Sequence, residues 1–309
     1  MDDIWDCIVV GGGAAGLSTA LVLGRARQRT LVIDAGEPSN AVSHGIGGLL
    51  GHDGRPPAEL YASGREELGA YPSVEIRPGS VVAGRREDSG LVLELADASS
   101  VRARRVVLAT GMDYRYPAVP GIEARWGRSV FHCPFCHGWE VRDRALGVLD
   151  RGAMGVHRAL LLRVWSEDVT LFSNGPAELD DAEAALLAAA GVTVDEGPVA
   201  ELRGSGDEME TVAFDDGTER ACRGLLVPVT THQRSTLAQQ LGARAAEPGP
   251  VAADAIDVDA MLQTSAAGVS AAGDVSSQMP SAASAIAAGS MAAAMIVRDI
   301  VAETHHLAT

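Results

Sequence analysis

Residues 4–16 read Ile4-Trp5-Asp6-Cys7-Ile8-Val9-Val10-Gly11-Gly12-Gly13-Ala14-Ala15-Gly16, and this stretch decides the fold. A short apolar run ends in glycines and passes into a helix-compatible segment that continues to about Arg27, the order strand, glycine turn, helix. Gly11 permits the tight bend, Gly13 lets the backbone approach a pyrophosphate, and Gly16 lets the helix pack on the strand. The phosphates are then held at the helix N-terminus, beside Ala14 and Ala15. A second apolar run, Thr30-Leu31-Val32-Ile33, ends in Asp34, at the spacing of a carboxylate that hydrogen-bonds a ribose diol. A glycine turn without a ligand accounts for the glycines but not for strand, helix and acid together.

Composition agrees with an α/β chain. Its 309 residues are 47% apolar, enough for two packed domains, and 35 glycines with only 4% aromatics point to a core of small side chains around tight turns. No lysine is present, and 41 acidic residues against 25 arginines leave a net charge of -16, which argues against tracking of nucleic-acid phosphates. The start, Met1-Asp2-Asp3-Ile4-Trp5-Asp6, has no basic leader, and no window offers ~18 uninterrupted apolar residues. A cytoplasmic protein with no membrane partner is the expectation. Four cysteines are too few for a disulfide scaffold, so the close pair Cys133 and Cys136 suggests redox or metal chemistry, with Cys7 and Cys222 as incidental buried thiols.

Two later segments repeat the strand-to-glycine pattern: Arg105-Val106-Val107-Leu108-Ala109-Thr110-Gly111 and Gly268-Val269-Ser270-Ala271-Ala272-Gly273-Asp274. With the first glycine turn they resemble the FAD domain of the low-molecular-weight thioredoxin reductases. That resemblance implies FAD as the dinucleotide, held by Gly11, Gly13, Ala14, Ala15, Gly16, Asp34, Ala109, Thr110, Gly111 and Gly273, with Asp274 on the flavin ribitol. It also implies a homodimer. Between these segments a stiff crossover, Pro117-Ala118-Val119-Pro120-Gly121, opens an insert that returns around 230–242. Within it a strand at 145–149, a helix at 154–165 and a strand at 169–172 repeat the first unit once. The expected architecture is two Rossmann-like doubly wound domains, the second inserted in the first: 1–116 and 231–309 for FAD, and 117–230 resembling an NADPH domain. An Ala-rich helix at 281–301 follows the Gly-Asp strand, its N-terminus toward the flavin, and His305 and His306 read as a frayed tail.

The insert carries His132-Cys133-Pro134-Phe135-Cys136-His137-Gly138-Trp139-Glu140. Four readings compete. A redox pair follows if Cys133 caps a helix with Pro134 at its first position, which lowers the thiolate pKa. Cys-x-x-Cys-His is also the c-type haem attachment signature, but no export leader accompanies it. A zinc site would crowd four ligands into six residues, against the usual separated pairs, so no metal is assigned. Inert buried thiols fit poorly with the polar neighbours. The block resembles FAD-dependent dithiol oxidases of thioredoxin reductase type, which close disulfides in antibiotics and other natural products such as holomycin, gliotoxin and romidepsin. In the reductases the residue after the second cysteine is acidic; here it is His137, whose ordinary pKa of about 6.5 suits proton transfer in both directions. The resemblance implies Cys136 as the flavin-proximal thiol and Cys133 as the thiol that exchanges with a small-molecule dithiol, with molecular oxygen as final acceptor. The alternatives are an NADPH-fed disulfide reductase and a non-catalytic flavin sensor. Against the reductase stands the second glycine turn, Asp150-Arg151-Gly152-Ala153-Met154-Gly155, whose first position is Asp150 with only Arg151 to offset it. After the next strand, Ser173-Asn174-Gly175-Pro176 offers no cation for a 2′-phosphate. His44 and His52, in a glycine-rich loop at 44–54, line the flavin pocket or are simply solvated.

Overall fold

A computed structural model describes residues 4–307; Met1, Asp2 and Asp3, on which part of the leader argument rests, lie outside them. The chain opens with β1 (Ile4–Val10), α1 (Ala14–Arg25) and β2 (Thr30–Asp34), then α2 (Pro57–Leu68), β3 (Val74–Pro78), β4 (Val81–Glu87), β5 (Gly90–Leu95), β6 (Ser100–Leu108) and β7 (Met112–Arg115). The insert supplies β8 (Val130–Phe131), α3 (Pro134–Val141), β9 (Leu146–Leu149), α4 (Gly152–Leu162), β10 (Val169–Phe172), α5 (Asp181–Ala189), β11 (Val192–Asp195), β12 (Val199–Arg203), β13 (Thr211–Phe214), β14 (Glu219–Ala221) and β15 (Gly224–Leu226). The return adds β16 (Thr230–Gln233), α6 (Leu237–Gln240), β17 (Val269–Ala271) and α7 (Ala282–His305).

Two compact units result. The first comprises Met1–Ala41, Pro56–Arg115 and Thr230–Thr309; the second comprises Val42–Arg55 and Tyr116–Val229. The segment Val42–Arg55, which the sequence reading leaves in the first domain, therefore packs with the second. Close contact explains this: a Cβ on Gly47 would lie 2.5 Å from the Cys136 carbonyl oxygen, and Arg128 Nε donates to the Val42 carbonyl at 2.8 Å.

In the first unit the sheet order is β3-β2-β1-β6-β5-β4, with β17 on the far half of β6. Strands β3, β2, β1, β6 and β17 run parallel, while β4, β5 and β6 form an antiparallel meander. Period-two alternation buries both faces: Ile8, Val10, Leu31 and Ile33 enter one core cluster, while Cys7, Val9, Val32 and Val107 enter the other, with α1 and α7. Helices α1 and α7 meet through small residues, since a Cβ on Gly289 would come within 2.1 Å of the Ala15 carbonyl oxygen. Ser281 caps α7 by accepting from Ser284 N–H at 3.1 Å. The helix runs one turn beyond the expected end, so His305 is its last residue and His306 its left-handed cap, not a frayed tail. By length and composition α7 is apolar enough to cross a membrane, although Ala285, Gly289, Ala292, Ala293 and Ile296 are buried.

The second unit holds a parallel sheet of order β11-β10-β9-β15-β8 and an antiparallel ribbon β12-β13-β14. Its strand-helix-strand core matches the expected repeat, with α4 starting at Gly152, two residues early, and stopping at Leu162.

Candidate active site

The dinucleotide-type residues of the first unit converge. Gly11 has φ of 108°, and a Cβ there would strike the Ala109 carbonyl oxygen at 2.2 Å; one on Gly16 would strike the Gly11 carbonyl oxygen at 1.8 Å. Glycine is thus required at the Gly11 bend and, for close packing, at Gly16 in the first turn of α1. At Gly13 nothing lies within 4 Å of an added Cβ, and α1 begins there without a side-chain cap, which leaves its first N–H groups directed at open space beside Ala14 and Ala15. Asp34 Oδ1 accepts from the N–H of Gly12 at 3.1 Å and of Gly36 at 3.0 Å, and Arg65 Nη1 lies 3.5 Å from Oδ2. The sequence reading missed Gly12, where a Cβ would collide with Asp34 Oδ2 at 2.3 Å. Thr110 lies within 3.3 Å of the same Gly11 position, and Gly111, with φ of 65°, turns the chain toward Ser39.

Gly273, with φ of 89°, delivers Asp274 at the end of β17. Asp274 Oδ2 accepts from the Tyr114 hydroxyl at 3.0 Å. Burial pushes the Asp274 carboxyl above the usual carboxylate range, and the Tyr114 hydrogen bond and the Arg234 charge oppose that shift. Arg234 donates to the carbonyls of Glu37 at 2.6 Å and Met112 at 3.2 Å and to Ser39 Oγ at 3.2 Å, so it ties the loops around Asp274 together. Neither Tyr114 nor Arg234 stands out in the sequence.

In the second unit Cys133 and Cys136 are joined as a disulfide, with Cα atoms 5.3 Å apart. Cys133 is the N-cap of α3 and Pro134 its first residue, the arrangement the redox reading requires. His137 Nε2 lies 3.0 Å from the Gly127 carbonyl oxygen and 3.4 Å from Ser43 Oγ. A carbonyl only accepts, so this contact assigns the neutral-ring proton to Nε2 and leaves Nδ1 basic. Nδ1 is buried and has no hydrogen-bond partner among the described residues. The ring stacks on Phe131, with centroids 5.5 Å apart and planes 9° apart. Burial drives the His137 pKa below its ordinary value, opposed by the carbonyls of Gly127 and Cys133 and by the Glu140 charge. His132, stacked on Trp126 at 5.7 Å, is pushed down to about 4 by burial and by its proximity to His137.

A cavity of about 220 Å3 is lined by Cys136, His137 and Glu140 together with His44, Arg128 and Asp207; Cys133 does not line it. His44 Nε2 lies 2.9 Å from Asp207 Oδ2, which Arg128 also engages. His52 is exposed and touches Arg55 instead, 3.2 Å away. Of the two loop histidines singled out in the sequence, His44 thus lines the cavity beside Cys136 and His137, while Ser43 and Asp207 escaped the sequence reading because their partners are remote in the chain. Cys7 and Cys222 are free and fully buried, and burial pushes both thiols up to about 12.

At the second glycine turn the acid at the first position already has partners. Asp150 pairs with Arg158 of α4, two helical turns on, and accepts from the Arg151 N–H at 2.9 Å. Arg158 and not Arg151 therefore neutralises Asp150. The Arg151 guanidinium instead reaches the Asn174 carbonyl at 3.3 Å and Glu178 at 3.4 Å. This corrects the expectation of no cation beside Ser173-Asn174-Gly175-Pro176, although that cation is already matched by Glu178.

Comparison with known proteins agrees with this layout. The family model described as "Pyridine nucleotide-disulphide oxidoreductase" matches residues 5–289. The chain is 30% identical to thioredoxin reductase tcpT of Claviceps purpurea, over 97% of this chain and 96% of that one. Among solved structures, HlmI shares 36% identity with a TM-score of 0.91, covering 99% of this chain and 95% of that chain. An oxidoreductase from Agrobacterium tumefaciens shares 37% identity with a TM-score of 0.90, covering 96% and 99%.

Proposed function

The chain belongs to the pyridine nucleotide-disulphide oxidoreductase family, and from that premise we propose that it is an FAD-dependent dithiol oxidase that closes a disulfide in a small-molecule, natural-product dithiol. The observation that carries the oxidase reading is the Asp150–Arg158 pair, which puts an already paired carboxylate at the turn where a nicotinamide dinucleotide would lay its pyrophosphate. A pyrophosphate entering there meets a carboxylate and displaces an existing ion pair. FAD fits the first unit: open space at Gly13 over an uncapped helix suits its pyrophosphate, and Asp34 and Asp274 suit its sugar and ribitol hydroxyls. We further propose a cytoplasmic homodimer; exposed Met291 and Val301 on α7 supply apolar surface for a second copy.

In this reading a substrate thiolate attacks Cys133 Sγ, the Cys133–Cys136 bond breaks, and Cys136 leaves as a thiolate. The second substrate thiol gives its proton to His137 Nδ1 and attacks the substrate sulfur of the mixed disulfide. The substrate leaves oxidised and Cys133 leaves as a thiolate. His137 passes the proton to the adjoining cavity. Bound FAD supplies the two-electron acceptor that restores the protein disulfide, and molecular oxygen takes the two electrons and two protons as hydrogen peroxide. The names of the thioredoxin reductase relatives and the Arg151 guanidinium beside Asn174 favour a second reading, an NADPH-fed disulfide reductase. Anaerobic stopped-flow spectroscopy separates the two. Dithiol should bleach the flavin rapidly and NADPH negligibly, and admission of air should restore the colour with release of peroxide. Fast bleaching by NADPH would establish the reductase instead.

A further inference from the structure

Tyr114 sits on β7 opposite Thr231 of β16, on the two-stranded ribbon by which the chain leaves the first unit and re-enters it. Its half-buried ring packs against the main core cluster, and its hydroxyl donates to Asp274 Oδ2 at 3.0 Å. Among the described residues Asp274 Oδ1 accepts no such bond, so one oxygen is held and the other is left for a ligand. The charged and titratable groups around this carboxylate are the Tyr114 phenol and the Arg234 guanidinium, with the Tyr61 phenol, itself donating to Asn40 Oδ1 at 2.9 Å, within electrostatic reach.

We propose that Tyr114 is a positioning residue for the cofactor: its hydroxyl holds one oxygen of Asp274 and so selects which oxygen faces a polyol hydroxyl. The proposal rests on the FAD reading. A polyol O–H can donate only to an oxygen that carries no proton, and a desolvated carboxyl is prone to protonate unless hydrogen bonds favour its anion. A phenol contributes such a bond without charge of its own, and its rigid ring fixes the direction of the donor.

The test is FAD release from the purified holoenzyme, followed by the fluorescence of free flavin as pH is lowered from about 8 to 5. Tyr114→Phe should hold FAD about tenfold more weakly near neutral pH, the effect of losing a hydrogen bond to a charged group. Its release should also begin at higher pH than in the wild type. In an Asp274→Asn background, which cannot titrate, Tyr114→Phe should have little further effect; a merely structural role predicts additive losses. If the Phe variant misfolds, Tyr114→Gln, which keeps a donor, is compared with Tyr114→Leu, which has none, and only the former should approach wild-type retention. Superimposable release curves, or additive losses in the double variant, would overturn the proposal while leaving the FAD reading intact. A wild-type protein that takes up no FAD would overturn both.

Discussion

His137→Ala is the perturbation with the sharpest expected consequence. The ring donates from Nε2 to Gly127 and keeps Nδ1 buried and unpaired, so its reactive nitrogen is already a base near neutral pH. Burial has lowered its pKa below the ordinary value, and the sign of the pH effect follows. The base form persists below the point where an exposed histidine would protonate, about pH 6.5, and is lost only as pH falls through the depressed value. Dithiol-driven bleaching, corrected for the ionised fraction of substrate thiol, should therefore stay level from alkaline pH past neutrality and decline on the acid side. Positioned proton transfer contributes about 10²–10⁴-fold, so the alanine variant should lose that factor and the acid-side decline with it. His137→Gln, which keeps most of the ring's volume against Phe131, should lose a similar factor, separating chemistry from packing. The assay is anaerobic stopped-flow at a series of pH values, with flavin content measured to verify that the cofactor is retained. Wild-type rates in either variant between about pH 6 and 9 would refute the assignment of the proton to this ring.

Other substitutions probe the neighbouring elements. Challenged with the oxidised, disulfide form of the substrate, Cys136→Ser should accumulate a mixed disulfide at Cys133 by thiol–disulfide exchange, visible by mass spectrometry, whereas Cys133→Ser should not; equal trapping would contradict the division of roles. His132, held neutral down to about 4, stabilises the fold fully above its unfolded pKa of about 6.5, and that share, about 3 kcal/mol, is lost as pH falls toward 4. His132→Asn should flatten acid denaturation over that window, and an unchanged profile would count against its burial. Gly47→Ala should place a methyl group 2.5 Å from the Cys136 carbonyl oxygen, cost about 1–3 kcal/mol in thermal unfolding and slow thiol exchange; unchanged melting and activity would show that the 42–55 segment does not pack there.

The sequence disclosed those parts of the fold whose cause is local. The apolar run at Ile4–Val10 and the glycine turn after it carry their own steric and periodic constraints, and Cys133 with Pro134 announces a helix start by capping alone. Contacts made across the chain were illegible. Ser43 meets His137 across 94 positions, and Tyr114 meets Asp274 across 160, with no spacing rule to connect them. Asp150 was assigned the wrong partner because proximity in sequence favoured Arg151, whereas the helical path of α4 returns Arg158 to it. Gly12 looked redundant between two explained glycines until Asp34 was seen to fill the space its side chain would need.

Under the proposed function, the complete burial of Cys7 and Cys222 bears on how the protein would survive its own substrates. An enzyme exposed to reactive dithiols and newly made disulfides works in a medium that would cross-link any accessible sulfur. Exchange requires a thiolate within reach of an incoming disulfide, and thiols pushed up to about 12 inside the two cores offer neither ionisation nor access. The two sequestered sulfurs are thereby insulated from scrambling, and electron traffic is confined to a single port. Moving either core thiol to the surface would open a second one, through which the protein would become cross-linked by its own product.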